Sequence, residues 1–473
     1  MPTDVLFDPN ISTALTGLEN VFGGGYQDQL PLFLASLFAL IVLLPLFLST
    51  WLFWRNEEFK KSLKWLLLEI KIPREIDKSP RAMEQILSAI HALRNVATDI
   101  QERYWDGEVT RWYSFEIVSF GGEIHFYIRL YYKQRDLVEA AFFSFYKDVE
   151  IVEVDDYVDQ IFPKTVRDLY AQGYDMWGSE MKLVKPSAYP IRTYEDFEHV
   201  DEEKQFDPIS AFLEVLAKIK KEEIVGIQIL ASPADRNWNI KWQPVVEKLR
   251  NTSSLSDDKK GKSAKLKFDF PSGPLPAISV ETEEQRKSET GSLAKVFGRT
   301  PGETDVLKAV EENLSKPAFE TVIRFIYFSP KSLFYDSYAR RGLTGAFNQY
   351  GALDLNSFTQ NYSMSTRTRF WTKPYIFPGM RNEFRKQRLL YLYNKREFPT
   401  YNFIGKVLTS SIWNWNKHSK TFEMNIKCLA TLFHPPTRQV LTAPHIPRVE
   451  SRKTGPPAGL AIFGDEEKIE KFM

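Results

Sequence analysis

The chain has 473 residues, with 62 basic and 61 acidic side chains, six histidines and one cysteine. At about 150 residues per domain the length allows two to four domains. A charged fraction of 26% excludes a polytopic transporter, which needs several long apolar spans. A formal net charge of +1 gives no whole-chain basic footprint for nucleic acid, and one cysteine excludes a disulfide framework and a multi-cysteine zinc site.

Leu30 to Trp54 carries no charge. As a helix it reaches roughly 35 Å, enough to cross a bilayer core of about 30 Å. Pro31 falls in the first turn, where a missing N–H costs little, and Pro45 is interior and should kink the helix. Trp51 and Trp54 end the run as an interfacial aromatic pair would, with Arg55 directly behind them. A cleaved signal peptide has a basic start and a shorter apolar core, whereas no Lys or Arg precedes Arg55 here, so a retained anchor is expected. Asp4, Asp8, Glu19 and Asp28 precede the span; Arg55, Lys60, Lys61, Lys64, Lys71 and Arg74 follow it. The positive-inside rule then makes residues 1–29 an extracytoplasmic tail and puts the rest in the cytoplasm of a single-pass inner-membrane protein.

Residues 55–107 read as amphipathic and stalk helices. The first, Glu57–Ile72, suits either the inner leaflet or an ordinary stalk. The second opens at Ser79-Pro80 and carries Met83, Ile86, Leu87, Ile90, Leu93, Val96 and Ile100 at helical spacing, ending near Gly107. From Trp112 the period becomes two, with a hairpin signal at Gly121-Gly122. A helix over Arg135–Tyr146, a strand over Val149–Val154, a helix from Asp207 to about Lys220 and a strand over Ile224–Leu230 complete a first α+β domain at 108–250. Residues 251–302 are rich in Ser, Thr, Gly and charge and read as a disordered linker or insertion. A second α+β domain is expected at 303–434, with helices over Glu303–Leu314, Pro330–Tyr350 and 380–397 and a strand over Phe319–Phe328; an extended tail follows at 435–473. The fold class expected is α+β: an N-terminal transmembrane helix, then tandem ferredoxin-like sandwiches separated by a disordered linker.

No phosphate loop, dinucleotide fingerprint, nucleophile elbow or paired metal-ligand motif occurs, so no catalytic, cofactor or metal site is expected. Cys428, His434 and His445 lie close together but fit no metal template, and read as a small buried hydrophobe and local hydrogen-bonding side chains. Asp155-Asp156 are strand neighbours pointing to opposite faces. The sharpest charged feature is 367–396, with Arg367, Arg369, Lys373, Arg381, Arg385, Lys386, Arg388, Lys395 and Arg396 against Glu383, interleaved with aromatics. That pattern suits a phosphate backbone, an acidic partner or anionic lipid, and equally a solvated helix face.

Five stretches, residues 67–87, 113–157, 323–334, 428–436 and 449–464, together resemble an uncharacterised bacterial family common in candidate-phylum genomes. Its members carry an N-terminal span and a tandem α+β region, and many continue into a HerA/FtsK-like ATPase of the type IV secretion and conjugation kind. This sequence reads DEEKIEKFM after Gly464, where the longer members enter the motor. The resemblance therefore implies a membrane-proximal, oligomerising structural component that docks a separate ATPase, with a membrane scaffold unrelated to secretion as the alternative.

Overall fold

The computed structural model describes residues 26–73, 78–198, 206–260, 300–366, 377–399, 419–437 and 448–449, with backbone alone at 26–32, 252–260 and 448–449. Its chain divides into two units. The smaller is built on α1 (Tyr26–Ser62) and residues 96–109. At 37 residues α1 is about 55 Å long, and over Phe33–Ser62 it is long and apolar enough to cross a membrane. Phe33, Phe38, Ile41, Leu43 and Phe47 lie around its circumference and are each more than half exposed. The helix passes through Pro45 and runs past Arg55. Trp51 and Arg55 are held locally: the Trp51 indole N–H donates to the Tyr104 carbonyl at 2.7 Å, and Arg55 Nε donates to that of Trp105. Trp54 is half exposed, its ring tilted against that of Trp51 with 5.3 Å between centroids.

Residues 104–105 belong to a π turn (Gln101–Asp106) that ends at Gly107 with φ +70°. A Cβ at Gly107 would lie 2.5 Å from the Arg55 carbonyl carbon.

The second unit holds the sheet, ordered β10-β1-β3-β2-β6-β7-β5-β8, with β4 also beside β1 and β9 beside β7. Its elements are β1 (Trp65–Pro73), α2 (Arg81–Ala92), β2 (Tyr113–Phe120), β3 (Glu123–Tyr131), α3 (Arg135–Phe145), β4 (Glu150–Val154), α4 (Tyr157–Ile161), α5 (Val166–Ala171), β5 (Tyr174–Leu183), α6 (Ser210–Ala217), β6 (Ile224–Pro233), α7 (Gln243–Lys260), α8 (Pro301–Ser315), β7 (Ala318–Pro330), α9 (Asp336–Asn348), β8 (Phe358–Gln360), α10 (Pro378–Lys395), β9 (Phe422–Asn425), α11 (Ile426–Leu432) and β10 (Arg448–Val449). All pairings are antiparallel except β1 with β10.

One pattern occurs twice. β1-α2-β2-β3-α3-β4 lays its strands in the order β4-β1-β3-β2, and β5-α6-β6-β7-α9-β8 lays its own as β8-β5-β7-β6. The two sets join where β2 pairs β6, from Tyr113↔Ala231 to Phe120↔Ile224.

Strand alternation splits the core between the two faces. Leu68, Ile70, Phe115, Ile117, Phe325 and Tyr327 share one cluster with residues of α2, α3, α6, α9 and α11. Leu67, Val118, Ile326 and Phe328 pack instead with α4, α5 and α10. The Gly121-Gly122 turn has φ of +59° and +100°, as a tight hairpin requires. A third cluster, with Trp238, Val246, Leu307 and Val310, packs α7 against α8.

Three expectations change. The helix expected to Ile72 ends at Ser62 and gives way to β1, because a strand with both faces covered is apolar at every parity and mimics helical spacing. The helix expected from Ser79 to Gly107 stops at Ala92, and Ile100, placed on its apolar stripe, is 81% exposed. The 251–302 segment does not divide two sheets: β6 before it and β7 after it pair from Ile224↔Phe328 to Pro233↔Phe319. Its first ten residues continue α7, and 261–299 lie outside the described residues. For the smaller unit, Gly107→Ala should cost about 1–2 kcal/mol by forcing a side chain into the left-handed region. Faster proteolysis near residue 107 in detergent checks this; unchanged cleavage would show that the turn does not hold α1.

Candidate functional site: a polar row across the sheet

A ladder of cross-strand partners runs through the middle of the sheet: Glu180↔Arg324, Arg324↔Gln228, Gln228↔Glu116, Glu116↔Tyr127 and Tyr127↔Glu69. Directly opposed residues share a face, and this row faces α10. Glu116, Glu180, Gln228 and Arg324 are fully buried. Arg324 Nε donates to Glu180 Oε1 at 2.8 Å, and its Nη1 donates to the carbonyls of Glu397 (2.7 Å) and Leu392 (3.3 Å) at the end of α10. Gln228 Nε2 donates to the Tyr393 carbonyl at 3.1 Å.

Arg396, one residue past α10, closes the row. Its guanidinium grips Glu116 through Nε and through Nη2 (3.0 Å), and Asp156 at 2.6 and 3.0 Å. The Tyr157 hydroxyl donates to Glu116 at 2.6 Å, and the Trp112 indole donates to the Arg396 carbonyl at 2.8 Å. Burial alone would lower Arg396; the Glu116 and Asp156 carboxylates outweigh it and hold the guanidinium well above its usual range. Burial, then the Glu116 charge, pushes the Tyr157 and Tyr393 hydroxyls up. Arg129, stacked 4.4 Å over Trp65, is drawn down to about 9 by burial and by Arg396.

Much of the basic helix segment that suited phosphate, an acidic partner, lipid or a solvated face is turned into this arrangement. Arg381, Arg385 and Lys386 are all buried. Lys386 pairs with Asp175 and donates to the Tyr170 hydroxyl at 2.8 Å. Arg385 donates to the Ser365 carbonyl at 3.3 Å, and burial, then Arg381, lowers it to about 10. Arg388 is half-buried, with its guanidinium 5.3 Å over Tyr391. Arg367, Arg369 and Lys373 lie outside the described residues. Sequence reading missed Glu116, Glu180 and Arg324. The available signal was a charge inside an otherwise apolar strand, as in YSFEIV and VIRFIYF.

Cys428 is buried and its thiol is pushed up to about 12 by burial, so it is a core residue and a poor nucleophile. His434 Nε2 meets Asp207 at 2.9 Å and its Nδ1 meets the Ala430 carbonyl at 2.8 Å, both groups being buried. Burial would raise Asp207, but His434 outweighs it and holds the carboxyl below its usual range. His445 lies outside the described residues, and among the described residues no group of three ligands could hold a metal.

Two concavities flank the sheet. One, about 720 Å³, lies beside β4 and is lined by Phe120, His125, Tyr127, Glu153, Asp155 and Tyr157. Its imidazole is bonded to Glu69 at 2.6 Å and stacked on Tyr127, and its lining holds no serine, threonine, cysteine or lysine to serve as a nucleophile. The other, about 310 Å³, lies between α9 and β8 and includes Arg340, Arg341, Thr344 and Gln360.

Glu116→Gln should cost about 3–5 kcal/mol in urea unfolding of the detergent-solubilised chain, since Arg396 loses its buried partner, whereas Arg388→Ala should stay within about 0.5 kcal/mol. Equal losses would remove the row's special role. The Asp207 carboxyl lies lower folded than unfolded, so it stabilises the fold above the ordinary carboxylate range, near pH 4. That contribution is lost as pH falls through the lower folded value. An acid titration of Asp207→Asn should therefore begin less stable and show a shallower loss below pH 4; a parallel curve would dismiss the pair.

No curated protein matches the sequence. A family model for a domain of unknown function, DUF8128, matches residues 54–447, a span that takes in both strand sets, the polar row and the last turns of α1. By that match, the chain belongs to the DUF8128 family, a domain of unknown function.

Proposed function

We propose that this chain is a membrane-anchored, non-catalytic assembly module of a type IV secretion-like or conjugative translocation machine, working beside a HerA/FtsK-like ATPase. The observation that carries the anchoring is α1, whose apolar side chains from Phe33 to Leu48 face outward without a covering partner among the described residues. Basic residues only on its C-terminal side support an N-terminus outside and the sheet in the cytoplasm. Each strand set has the element order of a ferredoxin-like unit, so we read the sheet as a tandem of two, with 251–302 inserted inside the second rather than between them. A non-catalytic role fits a buried row whose charges are spent on one another. The place in a secretion machine rests on the sequence resemblance.

The test uses the full chain in bacterial membranes. Expected are resistance to carbonate extraction, an intact mass that begins at Met1, and labelling of a Ser12→Cys variant by an impermeant maleimide in whole cells. Buried Cys428 stays silent in that experiment. A soluble chain, a cleaved one, or labelling only after lysis would overturn the anchor or its orientation. ATPase activity should co-purify in mild detergent; its absence from an otherwise membrane-bound assembly would replace the secretion role with that of a general membrane scaffold.

A further inference from the structure

We infer that copies of this chain join head to tail through their outermost strands, β4 of one copy adding to β8 of the next. The inference rests on the assembly-module reading above and deepens it by naming the surfaces. Among the described residues β4 pairs only with β1, and β8 only with β5, so each leaves one edge open. An open edge is a template for another strand.

The direction of the strands fits a head-to-tail contact. From β4 through β1, β3, β2, β6, β7 and β5 to β8, every neighbour is antiparallel. Eight alternating strands leave β4 and β8 running in opposite senses. A second copy set in the same orientation therefore presents its β4 antiparallel to β8, and the pairing pattern continues unbroken. Such a heterologous contact closes into a ring or extends into a filament, according to the rotation between copies.

Charge and face are complementary as well. The β4 edge carries exposed Glu150 and Glu153, with exposed Asp155 just beyond. The β8 edge opens onto the groove of about 310 Å³ that holds Arg340 and Arg341 on α9. Glu153 is opposed to Leu68, and Leu68 lies on the face that α9 also covers. In a continued sheet the Glu153 carboxylate therefore comes to the α9 side of β8, where the two arginines stand. Glu153 pairs with Arg135 within its own copy, and Arg340 with Asp336 at 3.4 Å. These partners are at least partly exposed, and such pairs are worth little, so exchanging them across an interface costs little. Gly345 leaves the groove open: a Cβ there would meet nothing within 4 Å. Large apolar side chains close in sequence to both strands are also exposed, Leu137 and Phe143 in α3 before β4, and Leu353 and Tyr362 before and after β8. A strand laid against an edge, with its side chains entering a helix-walled groove, is an established mode of recognition.

The experiment is light scattering on the full-length chain purified in detergent, with membrane retention and co-purified ATPase read on the same preparations. Wild type should run as more than one copy. Glu153→Arg alone, and Arg340→Glu with Arg341→Glu, should each weaken assembly about tenfold or more by placing like charges together. Mixing the two variants should restore assembly, because each now complements the other. A monomeric wild type, assembly indifferent to both reversals, or a mixture that stays dissociated would each overturn the inference. Should a reversal fail to fold, Val152→Cys with Thr359→Cys in one chain must give an oxidised ladder of linked copies, and its absence under oxidation would equally overturn the inference. A membrane-bound, ATPase-associated monomer would refute edge pairing and leave the module reading intact. A chain that assembles but is missing from membranes would do the reverse.

Discussion

The guanidinium of Arg396 sets the terms for much of the larger unit. Arg396 ends α10 at φ +49°, a conformation that costs a residue with a Cβ about 1–2 kcal/mol. The position is tolerable because it drops the side chain between Glu116 on β2 and Asp156 at the start of α4. Asp156 also caps α4 by accepting from the Val158 N–H. One cation therefore joins the end of a helix, a central strand and the turn after β4. Arg324 does the complementary task from β7 by donating to the Leu392 carbonyl in the last turn of α10 and to that of Glu397 just past it. Buried ion pairs of this kind add little net stability over an apolar core, but removing one partner is expensive. Their effect here is on register: shifting β2 or β7 by one residue would send Glu116 or Arg324 to the opposite, apolar face.

The same economy accounts for the cations of this basic, aromatic-rich helix that are buried. A cation available to a polyanion has to stay hydrated and accessible. Arg381, Arg385 and Lys386 are instead buried, Lys386 neutralised by Asp175 and Arg385 donating to a backbone carbonyl. Arg388 is half-buried and leans on an aromatic ring, and Lys395 is exposed. Among the aromatics of the segment Tyr393 is buried beside Phe162 and Tyr157, whereas Tyr391 is exposed. Composition reported the charge correctly, but it contained no information about which side of the helix the sheet would claim.

Much of the fold was legible wherever local chemistry and tertiary context agree. The Gly121-Gly122 hairpin, α3, β4, β6, α8 and β7 fall close to their expected places, because turn glycines, a Thr300–Glu303 capping box and β-branched runs act locally. Legibility failed at β1, where WLLLEIKI satisfies both periods and pairing with β3 and β4 decides between them. It failed again at β5, whose polar Ser179, Glu180 and Gly178 conceal a strand that is buried in the sheet. The polar row was invisible for a related reason. Its members come from six strands between residues 69 and 324, and no spacing in one dimension encodes a line drawn across a sheet.

The parity of the sheet has a further consequence. Each strand set contributes four strands, an even number, and the sets meet through an antiparallel pair, β2 with β6. Joining even sets in this way always leaves the two outer strands antiparallel to each other. An odd total would leave them parallel, and a like-oriented neighbour would then have to pair in parallel, which is slightly less stable per residue. Of the ways to continue this sheet, repetition in one orientation satisfies the alternation of the strands.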